Sequence, residues 1–423
     1  MLLFKFRLKL NLNLFVKQDI GRFYCTKPIS LPKNKTMTAY KSFKENPMYI
    51  FLVMLCIASA VGNQGWQTLF NNFAVEEAGV DSVKMGIIQS LREVPGFLTF
   101  FSVYILLFIA EHRFASTSII LLGLGVMLTG FFTSLGGLIF TTVLMSVGFH
   151  YFDTANQSLT LQYFQTDRVP LVLGKLRSIT ALSNIGVGVA IWLLSRYLSY
   201  QMLFLGVGLV VVLIGVYSYI LKPVDHLLPP QHKKLIFKRK YWLFYVLNFL
   251  AGARRQIFIV FAVFILVQKY HFSVIHITVL FVINNIITWL LSPYIGKAIN
   301  RYGERKMLTV EYVSLVIVFM LYALIENRWA VSVLYIIDNL FFSFAIAINS
   351  FFRKKADPVD IAPSMAVGFT INHITAVVLP VIGGILWMVN WRLPFIGGAI
   401  LAMCSLIFSQ FVKTEPALPT TTK

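Results

Sequence analysis

Apolar residues in this chain come in long runs separated by short polar connections, not in the narrow stripes of a water-soluble helix or strand. Twelve runs of about 20 residues can be marked, each long enough to cross a bilayer as a helix. They lie near 49–70, 85–110, 115–135, 137–157, 178–197, 200–221, 241–268, 273–295, 307–325, 329–350, 364–388 and 393–412. The pattern predicts an all-α polytopic membrane protein with twelve transmembrane helices. Most of the 37 Lys and Arg fall at the termini and on the even-numbered connections; few fall on the odd ones, and Arg92, Arg254 and Arg255 interrupt the runs themselves. Positive loops stay cytoplasmic, so both termini are expected inside. A missed or invented helix would scramble that alternation, so the charges support the count.

Composition changes the picture little. A chain that is 57% hydrophobic and 13% charged lies far from a soluble domain, whose charged share is about 25%. The net charge of +20 would suggest nucleic acid in a soluble protein, but the positive-inside bias accounts for it and no nucleic-acid partner is expected. Cys25, Cys56 and Cys404 are too scattered for a disulfide framework or a metal motif. No HExxH, GxSxG, Walker A or paired CxxC pattern occurs, so neither an enzyme nor an ATP-driven pump is expected, and no cofactor or metal is implied. From Phe4 to Leu14 apolar and polar residues alternate, which suits neither an amphipathic helix nor a signal-peptide core. Residues 1–47 read as a basic cytoplasmic extension, with a targeting presequence as the alternative.

Residues 222–240 carry Pro223, Pro229, Pro230 and the cluster Lys233, Lys234, Lys238, Arg239, Lys240. A long basic connection at the middle of twelve spans reads as a linker between six-helix halves, 48–221 and 241–412, with a short tail at 413–423. Internal similarity agrees. Asn156-Gln157-Ser158, then Asp167, is echoed by Ile348-Asn349-Ser350, then Asp357; Phe73-Ala74-Val75 is echoed by Phe261-Ala262-Val263.

Between the eighth and ninth runs stands Gly296-Lys297-Ala298-Ile299-Asn300-Arg301-Tyr302-Gly303-Glu304-Arg305-Lys306. It resembles the cytoplasmic loop signature of the major facilitator superfamily, G-x-x-x-D-R-x-G-R-R/K-x. Gly296, Arg301, Gly303 and Lys306 fall on the pattern, with Arg305 beside it, while Asn300 replaces the usual Asp. The glycines permit a tight turn and the basic groups can engage helix ends. The second connection, Glu111-His112-Arg113-Phe114-Ala115, carries no such motif. The stretch from Arg353 through Asp360 to Gly384 also resembles bacterial members of the family. The resemblance implies two pseudo-symmetric six-helix bundles around a central cavity, alternating access, and a bacterial inner membrane as the location.

Ionisable groups at bilayer depth are costly unless paired or hydrated, so they mark a polar interior. Arg92 and Glu93 in the second run point about 100° apart as helix neighbours and are not expected to pair with each other; the alternative is a permanent interhelical tie in which Glu93 neutralises Arg92 or another basic group. Arg254 and Arg255 need an acid, water or an anionic ligand; Glu93, Asp153 and Asp338 are the acids at hand. Asp153 and Asp338 are candidates for a coupling proton with Glu93, since a carboxyl shielded from water holds its proton more readily. His150, three residues before Asp153, suits a relay or a structural hydrogen bond. Asn63, Gln67 and Asn71 form one stripe of the first helix and read as cavity lining, with Asn284 doing similar work in the eighth. Substrate binding is therefore expected from Arg254, Arg255, Arg92, Asn63, Gln67 and Asn284. Trp66, Tyr151 and Phe258 are candidate apolar walls.

The function expected is secondary active transport of a small-molecule solute, coupled to a proton or counter-ion, with a lean toward a small organic anion. Efflux of drugs or metabolites by the same fold is the alternative, and a non-transporting sensor or polytopic enzyme the alternative of another class.

Overall fold

The computed structural model describes residues 43–223, 231–232, 234–272 and 274–413. The alternating stretch 4–14, Cys25 and the last ten residues lie outside them. The described residues form helices joined by short turns and connections, with no strand among them. In chain order the helices are α1 (Pro47–Glu76), α2 (Ser82–Phe97), α3 (Glu111–Thr129), α4 (Leu135–Tyr163), α5 (Val169–Leu194) and α6 (Tyr200–Ile220). There follow α7 (Arg239–Gln268), α8 (Val274–Tyr302), α9 (Glu304–Leu324), α10 (Arg328–Lys355), α11 (Ile361–Val389) and α12 (Leu393–Ser409).

Local chemistry sets the helix starts. Asn46, Asp81, Ser134, Ser199 and Asn327 each accept a hydrogen bond from a backbone N–H of the first turn, and Pro47 occupies a first-turn position whose N–H would have no partner. Among the described residues ten helices are long and apolar enough to cross a membrane. Helix α2 falls short because Lys84, Arg92 and Glu93 load its 16 residues and Pro95 ends its regular hydrogen bonding; a 3-10 turn, Leu98–Phe101, and a short turn, Ser102–Ile105, carry it on. Helix α12 is 17 residues long. Helix α7 contains a π-helical stretch, Ile257–Ala262, directly after Arg254 and Arg255.

The first six helices pack together: α3 lies between α4 and α6, and α1 packs on α5, α6 and α3. Close backbone approach drives that packing, as at Gly148 of α4, which faces the backbone of Leu122. In the last six, α7 packs on α11 and α12, and α9 on α12 and α10. The two sets meet mainly along α5–α8 and α2–α11.

The internal similarity has a structural counterpart. Gln162 at the end of α4 donates to Glu111 at the start of α3 (2.7 Å) and to Ser158 (2.8 Å). At the equivalent corner of the second half, Ser350 donates to Glu304 at the start of α9 (2.6 Å), which also pairs with Lys354 (2.7 Å). Both corners seat a carboxylate at a helix start, where the dipole favours it.

The described part of the linker is fastened to the corner between α10 and α11. Gln231 donates to the Pro358 carbonyl (2.7 Å), His232 Nδ1 lies 2.7 Å from Asp360, and Lys238 and Tyr241 each reach Asp360 at 2.6 Å. Lys240 pairs with Asp357 at 2.5 Å.

Candidate functional site

A cavity of about 340 Å³ lies between the two sets of helices. Arg177 of α5, Arg254 and Arg255 of α7, Asp153 of α4, Glu311 of α9 and Asp338 of α10 all line it, with Gln157, Asn248 and Asn349 among the polar groups and Phe258, Phe319, Phe342 and Phe369 among the apolar ones. Three guanidinium groups and three carboxylates thus share one cavity.

Their pairing is uneven. Arg254 Nη1 lies 3.3 Å from Glu311 Oε1, with both side chains at least 95% buried, and its guanidinium sits over the Tyr312 ring at 4.4 Å. Arg254 therefore has its acid in Glu311, not in Glu93, Asp153 or Asp338. Arg255 and Arg177 have no ion pair among the described residues; Arg177 lies over the Phe342 ring at 5.5 Å. Asp153 accepts from Gln157 (3.3 Å), and Gln157 in turn accepts from Asn349 (3.0 Å). Those two amides occupy equivalent positions of the internal similarity, so the related segments of α4 and α10 meet across the cavity. Asp338 is buried, and its Oδ2 has no hydrogen-bond partner among the described residues.

The other expected site residues lie elsewhere. Arg92 and Glu93 do pair, at 2.8 Å, contrary to the expectation from their helical angle. The long Arg side chain curls round the helix to its neighbour, as adjacent Cβ directions alone do not foresee. The pair stands outside the cavity, and Arg92 lies 5.9 Å from the centroid of the Trp66 ring. His150 faces His373 rather than Asp153: the ring centroids are 4.7 Å apart, and among the described residues no hydrogen bond joins it to Asp153. Asn63 and Gln67 hydrogen-bond each other (3.4 Å) toward the end of α1 remote from the linker. Asn284 is buried, and its carbonyl accepts from Asn339 at 3.4 Å.

At the linker end the halves are closed. The backbones of α5 and α8 touch at Gly174, where an added Cβ would lie 2.5 Å from the Ser292 carbonyl oxygen, and at Gly296, which meets the Pro170 carbonyl. Asn300 donates to the Asp167 carbonyl, Ser178 to the Trp289 carbonyl (2.6 Å), and Asn184 to Asn285 (3.1 Å). On the other seam the Phe100 N–H donates to Thr370 at 3.1 Å. All but the Asn184–Asn285 bond, which lies just past mid-helix, fall between mid-helix and the linker end. Gly296 thus sits inside α8 as a contact point, not in a turn. Gly303 makes the turn, with φ of 83°, a conformation that glycine adopts freely. Arg305 donates twice to Gln410 (3.2 and 3.1 Å), while Arg301 lies over the Tyr302 ring and Lys306 is exposed.

The sequence profile of the Major Facilitator Superfamily matches residues 50–358 and 244–423. The chain belongs to the major facilitator superfamily. Solved structures agree on the fold. A major facilitator transporter, FucP, in the outward conformation aligns with a TM-score of 0.70 at 13% identity, covering 87% of this chain and 99% of that one. A single-residue variant of the E. coli fucose:proton symporter FucP aligns with the same TM-score and coverage at 14% identity. No curated protein sequence matches the chain at a significant level. Members of the superfamily are multi-pass membrane transporters and not enzymes, so the expected architecture and general class stand.

Glu311 and Arg177 were not among the expected site residues. Glu311 was legible as a lone carboxylate seven residues into α9, inside an apolar run. Arg177 stands one residue before the apolar run 178–197, but α5 begins earlier, at Val169, and carries it.

Proposed function

We propose that this superfamily member is a secondary active transporter of a small organic anion, coupled to protons. The observation that carries the reading is the pair Arg177 and Arg255: two guanidinium groups on the wall of the cavity, with no acid within ion-pair distance among the described residues. Guanidinium does not shed its proton at any working pH, and Asp153 on the same wall makes no ion pair with either group, so a bound anion is the partner that would meet these charges directly. A volume of about 340 Å³ is near the small end for ligand sites. The phenylalanine walls suit an organic body rather than a bare inorganic ion.

Asp338 is the best placed carrier of the coupled proton. It lines the same cavity, and among the described residues its Oδ2 has no donor to hold it ionised. Asp153, linked through Gln157 and Asn349 to α10, is the second. Closure at the linker end, which the charge distribution makes cytoplasmic, corresponds to the outward-facing stage of an alternating-access cycle. That FucP was solved in the outward conformation supports this reading. The bacterial inner membrane, with both termini cytoplasmic, is the setting proposed.

The test is uptake by purified protein in liposomes, screening labelled organic anions and cations with and without a pH gradient. Anion flux that follows the gradient and is abolished in Arg255→Gln is expected. Flux of cations alone, indifferent to Arg255, would overturn the reading and favour efflux of cationic compounds.

A further inference from the structure

Behind the cavity wall, where α2, α4 and α11 meet, stand Glu93, His150 and His373. One ligating atom from each lies within 4.8 Å of the others. None of the three lines the cavity. Nδ1 of His373 lies 2.9 Å from the Phe369 carbonyl oxygen. A carbonyl only accepts, so Nδ1 carries the proton and Nε2 presents its lone pair. Metal-bound histidines are commonly held in this way, by a backbone carbonyl on the far nitrogen. The ring is fixed further by stacking on Phe369 at 4.6 Å and by contact with Gly96, where any side chain would collide with it.

His150 is 5% exposed, and its Nδ1 has no hydrogen-bond partner among the described residues. Glu93 gives Oε1 to Arg92, which leaves its other oxygen for a second partner. Two neutral imidazoles and a carboxylate, converging from three helices, form a ligand set of borderline softness. We propose that Glu93, His150 and His373 bind a divalent transition-metal ion of the zinc class, with a fourth position open.

The geometry is close to what such an ion needs. Tetrahedral zinc with bonds of about 2.0–2.1 Å holds its donors about 3.4 Å apart, so the widest separation here closes by about 1.4 Å through side-chain rotation. Imidazole selects Zn²⁺, Co²⁺ or Ni²⁺ over Mg²⁺ and Ca²⁺. Arg92 and Arg255 lie within electrostatic reach of the histidines and oppose a cation. They therefore weaken the site, and the open fourth position is left for water or an anion. Because α2 and α4 belong to the first six helices and α11 to the last six, the bound ion ties the halves together and must leave before α2 and α11 part.

The test uses purified, tag-free protein in detergent, with Co²⁺ as the spectroscopic probe and Zn²⁺ as competitor. It does not depend on knowing the solute. Wild type is expected to develop the visible bands of tetrahedral Co²⁺ at one equivalent, lose them to Zn²⁺, and melt at a higher temperature with Zn²⁺ present. His373→Gln and Glu93→Gln are each expected to weaken Co²⁺ binding at least about tenfold, while His271→Gln leaves it unchanged. Should His373→Gln fail to fold, Glu93→Gln, which keeps the side-chain shape, gives the same reading. An octahedral Co²⁺ spectrum in wild type, or equal affinity in the variants, overturns the site. So does absent Co²⁺ binding with a shifted pH profile of transport in Glu93→Gln, which would make the cluster a proton path.

Discussion

The contact at Gly174 offers the sharpest test of how the two halves move. Replacing this glycine by alanine would put a methyl carbon 2.5 Å from the Ser292 carbonyl oxygen. Ordinary van der Waals contact begins near 3.4 Å, so α5 and α8 would have to separate by about 0.9 Å at that point. Both partners at the contact are helix backbone, so no flexible side chain can swing aside to absorb the change. Overpacking of this kind costs about 1–3 kcal/mol. The cost applies only to the state in which the linker end is closed, so the ratio of closed to open falls roughly 5- to 150-fold. The assay is pulsed EPR between nitroxides at exposed Ile220 and Lys306, one in each half at the linker end, in a cysteine-free background. Gly174→Ala is expected to move weight to a longer distance, and Gly296→Ala to do the same. An unchanged distance distribution together with a lower melting temperature would refute the reasoning: the methyl would then be strain within a rigid seam, not a wedge in a gate.

Four other outcomes follow from the structure. Glu311→Gln strands the Arg254 charge in a buried site and should destabilise the protein by about 3–5 kcal/mol, read as thermal unfolding in detergent, with Arg254→Met on the same background restoring much of the loss. Asp338→Asn should leave solute exchange across liposomes intact while removing the response to a pH gradient; retained gradient-driven accumulation would exclude Asp338 as proton carrier. Gly303→Ala forces a side chain into a positive-φ, extended conformation (φ 83°, ψ 156°) and should cost about 1–3 kcal/mol, with the loss read by thermal unfolding and absent if the turn can re-form. Asp357 lies below the usual carboxylate range because Lys240 donates to it, which outweighs its slight burial. Its contribution to stability is therefore complete above the unfolded value of about 3.9 and lost as pH falls through the lower folded value. Wild type and Lys240→Gln should differ by a constant amount from pH 5 to 7 and converge below pH 4.

Most of the fold was legible because a bilayer leaves the chain few choices. Runs of apolar residues and the alternation of Lys and Arg were enough to place twelve helices, including α2 and α12, which a stricter measure of length and charge passes over. The site was only partly legible. Arg254, Arg255, Asp153 and Asp338 share one cavity and stood out as charges in apolar runs. Arg177 did not stand out, because it lies just outside the apolar run from which the helix is read. Glu93 and His150 carried the same signal as the cavity residues yet meet His373 at the α2–α4–α11 contact, and Arg92 lies over Trp66 of α1, because charge at bilayer depth reports a polar interior without saying which one. The pairing of Arg254 with Glu311 joins residues 57 apart and depends on how α7 lies against α9, which one-dimensional spacing does not contain.

The fastening of the linker sets a mechanical limit on the transport cycle. From Gln231 to Tyr241 the chain is anchored to the corner of α10 and α11 through Pro358 and Asp360, so it travels with the second half. The leash that remains runs from Leu221 to Gln231, ten residue steps, and even drawn taut it reaches no more than about 36 Å. The halves can tilt about their seams but cannot drift apart, and any stroke that needs more reach must first unhook Asp360. Shortening the leash, or cutting the anchors, would change the amplitude of the stroke without touching the chamber in which the solute sits.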